Sequence, residues 1–295
     1  MIDYRYAKVS WGSGIIISMG SPSFFVGSAV HNGDVPLRLL PDHLIAIGEP
    51  VADTERVSEL VGLEPRSAYA GLSRLRRQGR MFSPARGLYV AVPPEYRSWG
   101  VVPAPWWIDQ MMDHLGRDYY VGLLTAAAVH GAAHQAPQVF QVVVDQQLAG
   151  RDIHRVRVRF YVSSALSRLP AGTVERVTTE TGSMAVSSRE LTALDLATRP
   201  SLAGGLDNVA TVLTELGDLD ADVLATIGAL YPRSAVRRLG WLLAEIVGMR
   251  QLEDLQRLAA PGTGNVTPLD THAAPTGERN ATWAVLVNTS VEPDT

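Results

Sequence analysis

Between residues 53 and 79 apolar positions recur at helical spacing twice in succession. Val57, Leu60 and Val61 fall at i, i+3 and i+4 behind Asp53, a residue type that caps helix N-termini. Ala68, Leu72 and Leu75 follow at i, i+4 and i+7 behind Pro65, which suits a first helical position, and Gly79 closes the run. A shorter helix is expected over about 40–48, opened by Pro41 and Asp42. After Gly79, MFSPARGLYVAV reads as two short strands around a Ser83–Gly87 tip. Three helices followed by a hairpin is the order of a winged helix-turn-helix.

On either side the pattern changes. Residues 1–36 form a Gly- and Ser-rich extension whose runs GIIISM (14–19) and FFVGSAV (24–30) predict a β-hairpin. VPPEYRSWGVVPAP (92–105) carries four prolines and predicts a boundary, with a DNA-binding domain over 1–98 and an α/β domain over 99–295. Beyond it PWWIDQMMDHLGR and YYVGLLTAAAVHG look helical. QVFQVVVD, DIHRVRVRFYV and TVERVTTE look like strands of a mixed or antiparallel sheet. A helix-rich stretch from about 188 to 258 carries an apolar stripe of Val236, Leu239, Leu242, Leu243, Ile246 and Val247. PGTGNVTPLDTHAAPTGERN reads as loop, and TWAVLVN (282–288) as a closing strand. The fold class is therefore α/β (α+β): a winged helix-turn-helix, then a larger mixed α/β domain with a helix-rich C-terminal half. The apolar stripes of each half are expected to close within that half.

Charge sharpens this division. The chain has a formal net charge of −4, yet residues 65–90 hold six arginines and no carboxylate. Residues 1–98 carry 11 basic and 9 acidic side chains, whereas 99–295 carry 15 and 21. On the third helix the face opposite Ala68, Leu72 and Leu75 presents Arg66, Ala70, Ser73, Arg74 and Arg77, with Ser67 and Tyr69 on its flanks. A recognition helix puts its early side chains on base edges and later basic ones on phosphates. Arg66, Ser67, Tyr69 and Ser73 are thus candidates for bases, Arg66 having the fork that matches guanine O6 and N7. Arg74 and Arg77 suit phosphates. Arg86, at the hairpin tip, suits a minor groove or the backbone. A merely solvated face would mix signs. In RVRVRF, Arg155, Arg157 and Arg159 alternate with apolar residues, so three arginines share a strand face. That face is either solvated or meets an anionic partner, nucleic acid or an acidic protein.

Other constellations exclude more than they suggest. The chain has no cysteine, hence no disulfide or thiolate chemistry, which fits the cytoplasm. No segment is apolar over the roughly 20 residues that span a bilayer, so no membrane partner is expected. HGAAH (130–134) spaces His130 and His134 like zinc ligands, but Gly131 stands where a metalloprotease needs its glutamate. No metal, cofactor or catalytic residue is assigned, and the chain reads as no enzyme. DLDAD (218–222) lacks the glycine and final glutamate of a calcium loop and reads as helix capping. SSRELTALDLATRP (187–200) opens with a Ser187-to-Glu190 capping box and buries Leu191, Leu194 and Leu196.

Four stretches resemble one family: RRQGRMFSPARGLYV; YYVGLLTAAAVHG; RELTALDLATRP with GGLDNVATVL; and VTPLDTHAAPTGERNATWAVLVN. They are similar to the AbiEi-type antitoxins of type IV toxin–antitoxin and abortive-infection systems, a mycobacterial member among them. The resemblance runs from about residue 40 and leaves 1–36 outside it. It implies a winged helix that binds inverted repeats in double-stranded promoter DNA and represses its own operon. It also implies a C-terminal domain that opposes a nucleotidyltransferase-like toxin encoded next door, by direct contact or otherwise. Two other classes stay open: a winged-helix regulator whose second domain senses a ligand or binds a protein, and an enzyme fused to a DNA-binding module. The latter needs clustered carboxylates with Lys or Gln on strands, and none is evident.

Overall fold

The computed structural model describes residues 33, 35–133, 137–260 and 266–293. The hairpin expected within 1–36, and His134, lie outside the described residues. A single 3-10 turn, Leu37–Leu39, runs into α1 (Leu40–Ala46); β1 (Val51–Asp53), α2 (Thr54–Val61), α3 (Pro65–Arg77), β2 (Met81–Ala85) and β3 (Leu88–Ala91) follow. Asp53 Oδ1 accepts from Arg56 N at 2.8 Å and so starts α2. Gly62 ends it in the left-handed region (φ 68°), where a side chain would also meet Gly33 O at 2.7 Å. Within α3, Gly71 lets Leu37 lie against the helix backbone; a Cβ there would overlap Leu37 Cδ2. The strands form an antiparallel sheet in the order β1-β3-β2, with Val51 opposite Val90 and Phe82 opposite Val90. The hairpin turns on Arg86 and Gly87 alone, a tighter tip than expected. Strand β1 has no sequence signature, because three residues are too few to show a period.

The second part starts with α4 (Ile108–His114), β4 (Tyr119–Val121), α5 (Leu123–Val129) and β5 (Phe140–Val144). It continues with β6 (Arg151–Ile153), β7 (Val156–Val162), β8 (Val174–Thr179) and β9 (Gly182–Ser187). These strands make a six-stranded mixed sheet in the order β6-β7-β5-β4-β9-β8, parallel at β5/β7 and β4/β9. Two expectations change here. Tyr119–Val121 is a strand, since it pairs with β5 and β9 before the chain turns helical. The stretch 151–162 is a hairpin turning at His154, which has φ 51°, and not one strand.

A helical layer follows: α6 (Arg189–Thr198), α7 (Leu206–Glu215), α8 (Ala221–Gly228), α9 (Arg233–Trp241) and α10 (Glu253–Ala259), with a π-helical segment, Leu242–Val247, continuing α9. The N-cap of α6 is Ser188, whose Oγ accepts from Leu191 N, one residue later than the predicted box. Asp220 caps α8 through Asp222 N and Val223 N, as the capping reading of DLDAD expected. The short strands β10 (Thr267–Pro268), β11 (Glu278–Asn280) and β12 (Val285–Val287) close on α9. Trp283 fills the notch at Gly240, where a Cβ would overlap its ring, and Arg238 donates to Leu269 O at 2.8 Å.

The centre of the large sheet is buried on both faces, which explains the apolar run Val142, Val143, Val144 of β5. Tyr120, Val143 and Ala185 face the helical layer. Val121, Val142, Val144, Met184 and Val186 face the other way, into a second core. That core also contains Phe82, Ala85, Leu88 and Val90 from the N-terminal hairpin. Met81, Ala91 and Ala52 instead join the helices of the N-terminal part. The small sheet thus divides its two faces between two cores, by the period of two of a β-strand. The proline-rich stretch is packed and not loose. Val92, Val101, Val102 and Ala104 are buried, and Trp107 sits edge-on to Phe82 with centroids 5.8 Å apart. The expectation that each half closes its own core is corrected accordingly.

Candidate nucleic-acid interface and the domain behind it

Ala68, Leu72 and Leu75 of α3 are buried at 1–3% exposure, as predicted, which turns the opposite face outward. Arg66, Ser67, Tyr69, Arg74 and Arg77 are exposed and Ser73 is half-buried. Arg66, Ser73 and Arg77 are separated by seven and four residues, so they lie along one stripe about 16 Å long. Tyr69, 65% exposed, stands beside that stripe. Among the described residues Arg66, Arg74 and Arg77 have no ion-pair partner, and the same holds for exposed Arg76, which sequence reasoning did not assign. The contrast with nearby cations is sharp. Arg56 is paired with Glu49 and Glu59, while Arg80 and Arg97 both bind Asp42 at 2.8 Å. An unpaired row costs self-repulsion that an anion would relieve.

The hairpin tip is held from all sides. Four consecutive carbonyls each accept from a side chain: Pro84 O from Arg151 Nε (2.9 Å), Ala85 O from Ser83 Oγ (2.7 Å), Arg86 O from His114 Nε2 (3.0 Å) and Gly87 O from Thr54 Oγ1 (3.1 Å). The Arg86 side chain is exposed. Gly87 (φ 81°) takes a backbone shape that favours glycine.

The three arginines of RVRVRF do not form an equivalent row. Arg159 is bound bidentately by Asp152 at 2.7 and 3.1 Å, and this holds its pKa above its ordinary value. Arg155 lies in the turn, its guanidinium 5.4 Å from the Trp99 ring centre. Arg157 is exposed, opposite Asp152 in the ladder. The turn sits close to the end of α3. A Cβ at Gly79 would lie 3.6 Å from Gly100 Cα, and one at Gly100 would lie 3.0 Å from His154 Nε2.

Elsewhere the polar chemistry is structural. His130 Nε2 donates to Ser187 O at 2.7 Å, and Gly131 has φ 79°, so the histidine ties α5 to β9. Among the described residues no group of three or more His, Asp or Glu could hold a metal ion, and no helix is long and apolar enough to cross a membrane. An open pocket of about 390 Å³ is lined by Asp220, Asp222, Glu253, Asp254 and Arg250, but Asp220 serves as a cap there and Asp254 pairs with Arg257. Asp195, wholly buried, accepts from Tyr120 (2.9 Å) and Tyr231 (2.8 Å). Burial raises its pKa, and the two phenols and Arg199 pull part of the way back, leaving it at about 6.

Asp195, the large sheet from β4 onward and the helices to α9 all belong to one contiguous stretch of sequence. Residues 120–245 match the family model described as the AbiEi antitoxin C-terminal domain. That stretch, under half of the chain, is similar to AbiEi domains. A solved structure, that of the RV2827C protein from Mycobacterium tuberculosis, superposes with a TM-score of 0.60 at 17% identity, covering 86% of this chain and 93% of that one. At that identity the likeness establishes the fold and nothing finer. No curated protein matches the chain. The AbiEi match begins at Tyr120, so α3 and the hairpin tip lie outside it, while the buried Asp195 cluster lies within it.

Proposed function

We propose that this chain is a DNA-binding antitoxin. Its winged helix holds promoter DNA bearing inverted repeats and represses the operon, and its AbiEi domain opposes a nucleotidyltransferase-like toxin encoded next door. The domain match supports the antitoxin role. The observation that carries the DNA role is the stripe of exposed arginines on α3 that have no acidic partner among the described residues. In this reading Arg66, Ser67, Tyr69 and Ser73 meet base edges, while Arg74, Arg77 and Arg86 meet phosphates or a groove. Of the two anionic partners open to Arg155 and Arg157, nucleic acid is favoured, since their turn abuts the end of α3. Arg159, bound to Asp152, is left out of that contact.

The test has two arms. Promoter DNA titrated at several salt concentrations should give log K against log salt a slope of roughly −3 to −5, one unit per phosphate neutralised. Co-expression with the adjacent gene should restore growth, while a promoter reporter falls. Salt-independent binding defeats the DNA role. A harmless neighbour defeats the antitoxin role and leaves a plain regulator.

A further inference from the structure

Of the four side chains that hold the carbonyls of residues 84–87, two come from beyond the proline-rich stretch. His114 is the last residue of α4, and Arg151 opens β6 of the large sheet. The partner atoms are backbone oxygens, so His114 Nε2 and Arg151 Nε must both carry the proton and donate. Arg151 has little freedom, since its guanidinium carbon lies 5.9 Å from the Phe160 ring centre and its Nη1 also reaches Ala149 O. The hairpin cannot shift away as a unit either, because Phe82 and Leu88 are packed in the core beneath the sheet.

We propose that His114 and Arg151 are positioning residues for DNA binding: the AbiEi side of the molecule sets where Arg86 is presented. The inference rests on the DNA-binding reading above. Neither residue touches DNA in this arrangement. His114 fixes the carbonyl of Arg86 itself and Arg151 that of Pro84, two residues earlier on the same tip, while the Arg86 side chain is exposed and can reach a phosphate. A ligand or partner that deforms the large sheet near β6 or the end of α4 would therefore alter the grip on DNA without approaching α3.

The experiment is a double-mutant cycle on the full chain, read by promoter binding across a salt series. Arg86→Ala should weaken binding roughly five-fold and reduce the salt slope by about one, the loss of a single phosphate. His114→Ala should do the same alone and nothing further in the Arg86→Ala background, because its effect passes through Arg86. Arg151→Gln should behave likewise. His114→Gln, whose Nε2–H reaches a similar point, should recover most of the affinity. Thermal unfolding of each variant separates a misplaced tip from a damaged fold. Additive effects of His114→Ala and Arg86→Ala would mean that the histidine meets DNA itself, and would overturn the proposal. Unchanged affinity and slope in His114→Ala would overturn it as well, with the DNA-binding reading intact. A wild-type protein that retains no promoter DNA overturns both.

Discussion

Asp195 carries a carboxyl that burial takes well away from its ordinary state. Its carboxyl is fully buried between β4 and the α8–α9 turn, accepting from the phenols of Tyr120 and Tyr231, and its pKa stands at about 6 against an ordinary 3.8. A carboxylate with a raised folded-state pKa binds its proton more tightly folded than unfolded. It therefore weakens the fold at pH 7, and this penalty is relieved as pH falls through 6 towards 4. Two units correspond to about 3 kcal/mol. Denaturant unfolding of wild type and Asp195→Asn at pH 7 and pH 4.5 isolates this group, since the other carboxyls cancel in the difference. Wild type should gain on the variant as pH falls. A difference independent of pH would refute the assignment. The sequence offered no sign of this cluster, because Asp195 occupies a position in RELTALDLATRP that reads as an ordinary helix residue, and its partners stand 75 and 36 residues away.

At the scale of elements, legibility followed length and periodicity. Helices α2 and α3 are readable because each combines a cap or first-turn proline with apolar residues at helical spacing. The core they predict is the core found. Strands β1 and β4 are not, at three residues each; β4 was absorbed into the helical reading of the residues that follow it. The break between β6 and β7 was hidden because alternation of arginine and apolar residues continues to the very turn. The exposed side of α3 is legible for the same reason as its buried side, as one follows from the other through the 100° step. Two substitutions on α3 should therefore separate by function. Reversing Arg74 and Arg77 to Glu should weaken binding to all sequences alike, as loss of phosphate contacts does. Arg66→Ala should cost about 1–3 kcal/mol on the operator and relax preference at one base position. Equal losses on operator and random DNA for Arg66→Ala would place it on the backbone instead.

For the whole molecule, the main feature that sequence concealed is how the two ends of the boundary are joined. Prolines at 93, 94, 103 and 105 signal an irregular backbone, and irregular backbone is usually read as a surface linker. Here it is threaded through a core, with Val92, Val101 and Val102 nearly inaccessible and the Trp107 indole donating to Val102 O. Strand pattern cannot reveal this, since alternation in β2 and β3 says that two faces differ but not that both are buried. The consequence is thermodynamic. Phe82, Leu88 and Val90 belong to the winged helix by sequence, and to the core under the six-stranded sheet by packing. Losing that core should unfold both sides together. Tryptophans report on each region, Trp106 and Trp107 at the joint and Trp241 and Trp283 in the helical layer. Denaturant transitions followed by tryptophan fluorescence, far-ultraviolet dichroism and promoter binding should therefore coincide. Phe82→Ala, which empties a large site against Trp107, should lower stability by about 3–5 kcal/mol and move all three transitions by the same amount. If instead binding is lost at low denaturant while the helical layer holds its wild-type midpoint, the N-terminal part is an independent domain and the shared core contributes nothing to coupling.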